Sequence, residues 1–160
     1  MSIFSKIKML KPENGMFYPP NVEGGVKVKF EFPPNIDNIC AAFQINPQTV
    51  FTYGDTIYDP HKLPLSVDVI EHERVHMKQQ GEKPELWWGK YLREPAFRID
   101  QEAQAYGRQY QVIAQKITNP QKLFDFRMML AKTLSGPLYG NAIGRSEALT
   151  LIQSYAQEPV

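Results

Sequence analysis

The chain has 160 residues, 42% hydrophobic and 22% charged, with a formal net charge of +1. That length suits one domain with a real core, and scattered Lys and Arg at near-zero net charge exclude an electrostatic surface for nucleic acid or membrane. The single cysteine, Cys40, excludes an internal disulfide framework or a cysteine-rich zinc finger, which leaves histidine and carboxylate as the strong metal ligands.

Residues Met1 to Lys8 alternate lysine with apolar side chains and never build the unbroken apolar run of a signal peptide or membrane span, so a cytoplasmic location is expected. Pro12, Pro19, Pro20, Gly24, Gly25, Pro33 and Pro34 then divide the first third into strand and loop. From Val26 to Phe32 the alternation is strict, which predicts a half-buried strand with Val26, Val28, Phe30 and Phe32 on one side. Asn35 is placed to cap a short helix through Phe43, and Cys40 in its apolar run reads as a buried core thiol. Two β-branched and aromatic runs, 49–53 and 56–58, flank Gly54-Asp55, the pattern of a type II′ hairpin that Asp59-Pro60 ends.

Ser66 as N-cap, Asp68 in the first turn and Gly81 as the stop predict a helix over about 67–80. Pro84 opens a short helix carrying Leu86, Trp87, Trp88, Tyr91 and Leu92, whose aromatic rings belong to the core or to a groove wall. From Pro95 the apolar positions Ile99, Ala103, Tyr106, Tyr110, Ile113 and Ile117 recur at helical spacing and define a long amphipathic helix. Pro120 opens another, with Leu123, Phe126, Leu130 and Leu134 inward, Gly136-Pro137 ends it, and Ser146 caps a last one bearing Leu149 and Ile152. The expected architecture is a single α+β domain over 1–160, strand- and loop-rich over 1–64 and helical over 65–160.

His72-Glu73-Arg74-Val75-His76 reads H-E-x-x-H and uses two of the three histidines in the chain. Residues four apart share a helix face, so both imidazoles can close on one metal ion while Glu73 sits beside it. A catalytic zinc takes three protein ligands and keeps a fourth position for water, so a third ligand is required. His61 and the downstream acidic residues are candidates. His61, in Asp59-Pro60-His61-Lys62, reads better as an exposed turn residue, whereas Glu102 borders the buried stripe of the long helix, where a dication would compensate its charge. The small neighbours Ala103 and Ala105 would let that helix approach the histidine helix closely. The competing reading is a solvated helix face with His72, Glu73 and His76 exposed.

H-E-R-V-H followed on a later helix by Glu102-Ala103-Gln104-Ala105 resembles the gluzincin metallopeptidases, which pair H-E-x-x-H with a downstream glutamate. The order of hairpin, active-site helix and glutamate helix is similar to that of the smallest gluzincins. The resemblance implies a zincin-like fold, a zinc ion on His72, His76 and Glu102, and Glu73 as general base. A looser resemblance to small bacterial or phage-encoded proteins points to no particular substrate. Tyr106 stands where larger relatives often carry Asp or Asn, which leaves the acceptors for the imidazole N–H groups to be found among Asp68, Glu71, Asp100 and backbone carbonyls.

The activity expected on this basis is hydrolysis of peptide bonds by metal-activated water, with a peptide or polypeptide substrate and one zinc ion per chain. Tyr106, Tyr110, Tyr139 and Arg145 are the candidates to stabilise the tetrahedral intermediate. An edge of the hairpin offers a place for substrate backbone to pair. Arg74 and Arg98 read as surface ion-pair partners. A zincin-like domain that binds zinc without catalysis, or a structural or assembly protein, is the alternative, and the presence of Glu73 favours the enzyme because a structural zinc site needs no base.

Overall fold

The computed structural model describes residues 16–17 and 25–157. The Met1–Lys8 segment and the turn formers Pro12, Pro19, Pro20 and Gly24 lie outside the described residues. The fold is α+β and mostly helical. Strands β1 (Met16–Phe17), β2 (Val26–Lys29), β3 (Phe51–Tyr53) and β4 (Thr56–Tyr58) form one small sheet in the order β1-β2-β4-β3. Helices α1 (Ile36–Ala42), α2 (Val67–Gln80), α3 (Pro84–Arg93), α4 (Pro95–Ala114), α5 (Pro120–Leu134) and α6 (Arg145–Ala156) account for most of the rest. No helix among the described residues is long and apolar enough to cross a membrane.

The hairpin forms where its turn residues require it. Gly54 has φ +61° and Asp55 is not among the residues with positive φ, the combination that defines type II′ rather than type I′. β2 then pairs in parallel with β4, Val28 opposite Ile57, through a crossover that contains α1. β2 is shorter than its alternation predicts. The last bond runs from Asp59 N–H to Lys29 C=O at 2.8 Å, and Pro60 then brings no N–H, so Phe30 and Phe32 lie beyond the ladder and are exposed. They meet Lys62 and His61, both exposed in the following turn.

Cys40 is exposed, not a core thiol. The seven-residue α1 buries only Ile39, and the next position is rotated about 100° toward water. Asn35 precedes α1 without a side-chain cap bond.

α2 runs over the predicted span, between an extended Ser66 and Gly81 at φ +54°. Three helices begin with proline at the first position, Pro84, Pro95 and Pro120, where the missing N–H leaves no helical bond unmade. Asn119 adds a cap to α5 by accepting from Lys122 N–H at 3.0 Å. α4 stops before Ile117, and α5 buries Leu130, Ala131 and Leu134 while Leu123 and Phe126 are half-buried. After Gly136 the chain turns through a short 3-10 helix at Pro137–Tyr139, and α6 starts one residue before Ser146, with Gly144 as its N-cap.

Two apolar clusters hold these layers. Val26, Val28, Val50, Ile57, Leu65, Val69 and Ile70 join the sheet to α2. A larger cluster, with Trp87, Trp88, Tyr91, Tyr106, Leu134 and Ile152 among its members, joins α3 to α6. α2 therefore lies between the sheet and α4, with Asp68, His72 and His76 enclosed at the α4 seam and Glu73 and Gln80 reaching the sheet.

Candidate metal centre

His72, Glu73 and His76 occupy the middle of α2 and are 0%, 0% and 1% exposed, which removes the solvated-face reading. Glu102, also 0% exposed, enters from α4. One ligand atom from each of His72, His76 and Glu102 lies within 4.8 Å of the others. The Nε2 atoms of the two histidines are 3.1 Å apart, His72 Nε2 is 3.3 Å from Glu102 Oε2, and His76 Nε2 is 3.5 Å from Glu102 Oε1. Zinc bonds of about 2.0–2.2 Å at tetrahedral angles separate ligand atoms by roughly 3.3–3.6 Å, so the two nitrogens and the two oxygens of the Glu102 carboxylate lie at spacings close to those of such a site.

The protons support the same fit. Gln109 donates from Nε2 to Asp68 Oδ2 at 2.8 Å, which turns its carbonyl oxygen to His72 Nδ1 at 3.1 Å. Gln79 donates to the Gln101 carbonyl at 3.0 Å, which turns its oxygen to His76 Nδ1 at 2.8 Å. Both Nδ1 atoms are thereby assigned the proton, and both Nε2 atoms present lone pairs beside a carboxylate. Burial pushes the His72 pKa below its ordinary value, against the opposing hydrogen bond to Glu102, and so favours the neutral imidazole that binds metal. Two imidazoles and one carboxylate form a donor set suited to zinc.

Glu73 stands outside that ligand set. Thr52 in β3 donates to its Oε2 at 2.7 Å and fixes the carboxylate toward the sheet side of α2. The hairpin is held there by Gln80, which donates to the Thr52 carbonyl at 2.9 Å and accepts from Gly54 N–H at 2.7 Å. Trp88 Nε1 donates to the same Thr52 carbonyl at 3.1 Å. β3 is one of the two edge strands among the described residues, but its middle carbonyl already serves two side chains, so substrate pairing at that carbonyl would need those bonds to be given up.

Around the cluster stands a wall of aromatic rings. Tyr106 lies edge-on to His72 with centroids 4.6 Å apart, and its hydroxyl is 2.8 Å from that of Tyr139. Tyr91 donates to Glu102 Oε1 at 2.5 Å. Trp87 packs against His76 at 5.5 Å and stacks on Tyr91 at 4.8 Å, so both tryptophans are buried. Burial, and then the charge of Glu102, push Tyr91, Tyr106 and Tyr139 well above the ordinary phenol pKa, so all three remain proton donors.

The other candidates fall elsewhere. Tyr110 turns toward α5, where Arg127 lies over its ring at 5.7 Å, and Arg145 is exposed in the first turn of α6. Glu71 pairs with Arg108 at 2.7 Å, and Asp100 accepts from Gln104 at 2.9 Å and from Tyr155, so neither carboxylate orients a histidine. Asp68 acts at one remove. Arg74 is a half-buried partner of Glu71 at 3.6 Å, but Arg98 is buried: it donates to the carbonyls of Tyr91 and Tyr139 at 2.7 and 3.2 Å. Thr52, Gln79, Tyr91 and Gln109 are the site residues that the sequence reading missed. Spacing marks two of them, since Gln79 is three residues after His76 and Gln109 is seven, two helical turns, after Glu102.

No family model, curated protein or solved structure matches the chain.

Proposed function

We propose that this chain is a zinc-dependent peptidase of the gluzincin type, with a zincin-like fold and a peptide or polypeptide substrate. The observation that carries this reading is the convergence of His72 Nε2, His76 Nε2 and the Glu102 carboxylate beside a separately anchored Glu73. His72, His76 and Glu102 would hold a zinc ion, which when bound would supply an activated water and polarise the scissile carbonyl. Glu73, kept off the ligand set by its bond to Thr52, accepts a proton at its carboxylate and returns it to the departing amine nitrogen. Tyr106 is the phenol next to the histidine ligands, its hydroxyl 2.8 Å from that of Tyr139, and it is the group to donate to the substrate oxygen as negative charge develops.

Burial of the whole cluster favours a second reading, a domain that holds zinc for stability or partner binding without turnover. Zinc content and cleavage of a mixed peptide library separate the two. Glu73→Gln is expected to keep zinc and lose cleavage, while His76→Ala and Glu102→Ala lose zinc. Stoichiometric zinc with no cleavage by the unmodified chain would favour the second reading, and no zinc uptake would remove both.

A further inference from the structure

We propose that Asp68 and Gln109 form a positioning pair in which Asp68, without touching His72, fixes that ring with its proton on Nδ1 and its lone pair toward the metal centre. The inference rests on the metal-centre reading for its purpose, and on two hydrogen bonds for its geometry. Gln109 Oε1 lies 3.1 Å from His72 Nδ1, and Gln109 Nε2 lies 2.8 Å from Asp68 Oδ2. Gln109 and Asp68 are 0% and 1% exposed, so no solvent competes for the amide.

A glutamine amide is ambidextrous. Its oxygen facing His72 selects the Nδ1–H ring, and its NH2 facing His72 would select the opposite ring, with a proton on Nε2 directed at His76 and Glu102. Asp68 decides between the two, because its Oδ2 accepts from the NH2 end of Gln109 and so leaves the oxygen end for His72. The neutral amide also suits the charge of the site. Glu73 and Glu102 already place two carboxylates beside His72, and a third in direct contact would add buried like charge. Interposing Gln109 transmits the orientation while keeping the Asp68 charge a side chain farther away.

The pair also ties the two helices in register. Glu102 and Gln109 lie two turns apart on α4 and face α2, where Asp68 and His72 are one turn apart. One face of α4 therefore supplies a ligand and, separately, the part that aims a ligand of the other helix.

The test reads imidazole tautomers in the full chain by long-range proton–nitrogen correlation in mildly alkaline buffer without metal, and then zinc affinity by competition with a chromogenic chelator. Unmodified protein should show His72 as the Nδ1–H form. Gln109→Met, close in shape but without the amide, and Asp68→Ala should both convert His72 to a mixture rich in Nε2–H and weaken zinc binding about ten- to a hundredfold. Asp68→Asn, whose amide can present either its oxygen or its NH2, should give a tautomer mixture and a zinc affinity between those of the unmodified chain and Asp68→Ala. If Asp68→Ala fails to fold, Gln109→Met and Asp68→Asn still decide the matter. A His72 ring that stays Nδ1–H in Gln109→Met, or that is Nε2–H in the unmodified chain, overturns the proposal. Loss of the Nδ1–H form in Gln109→Met in a chain that takes up no zinc supports the positioning pair and overturns the peptidase reading instead.

Discussion

Helix α4 turns Glu102 and Gln109 toward α2, and Gly107 toward α6, and the two seams are closed by different means. At the α2 seam polar side chains are buried in hydrogen-bonded chains, Gln109 on His72 and Asp68, Tyr91 on Glu102, and Gln79 on His76. At the α6 seam the determining feature is the lack of a side chain: a Cβ on Gly107 would stand 2.7 Å from Tyr155 Cβ and 3.1 Å from the Ala156 nitrogen. Substitutions at the first seam should therefore act on metal binding, and substitutions at the second on stability.

The largest expected effect is at the ligands. Zinc held with about 10–16 kcal/mol by a full ligand set implies about 3 kcal/mol or more for each ligand, so Glu102→Ala and His76→Ala should weaken zinc binding roughly a hundredfold or more, measured by chelator competition. The same coupling gives a thermal signature. Zinc present at about 100 times its dissociation constant should stabilise the unmodified chain by about 2.7 kcal/mol, read as a rise in Tm that a chelator reverses and that is absent in Glu102→Ala.

Gly107→Ala probes the opposite seam. The added methyl meets backbone as well as a side chain, an overpacking of about 1–3 kcal/mol that a helix-propensity gain of about 1 kcal/mol partly offsets. Denaturant unfolding should show a net loss of up to about 2 kcal/mol with zinc affinity of the folded protein unchanged. A drop in affinity as large as that of a ligand variant would show that the two seams are not separate. Tyr91→Phe keeps the ring stacked on Trp87 and removes only the hydroxyl that donates to Glu102, so it should weaken zinc binding about tenfold and leave the fold intact.

These differences also explain what was legible in the sequence. The hairpin, α2 and the proline-initiated helices are specified locally by Gly54, Ser66, Gly81, Pro84, Pro95 and Pro120, and they fall where expected. His72, Glu73, His76 and Glu102 were legible because helical spacing fixes which face each occupies. Phe30 and Phe32 were misassigned because burial depends on where a partner element ends, and the bonding to β2 stops at Asp59, before Pro60; Cys40 was misassigned because α1 buries Ile39 alone and turns the next position to water. Arg98 was misread for a related reason: its partners are backbone carbonyls of Tyr91 and Tyr139, seven residues upstream and forty-one downstream, which carry no mark in the sequence.

The rim of the α2–α4 seam offers the smallest and sharpest test. Arg108 binds Glu71 through Nε at 3.0 Å and Nη2 at 2.7 Å, bridging the same two helices as Gln109 does from the adjacent position. Its side chain is 28% exposed and that of Glu71 14%, so water and salt screen the pair, and such pairs contribute about 0–1 kcal/mol. Arg108→Met should therefore lower unfolding stability by less than about 1 kcal/mol and leave the His72 tautomer and zinc affinity unchanged, whereas Gln109→Met changes both. Equal effects from the two variants would mean that the seam responds to helix spacing alone, and that the amide at 109 has no directional role.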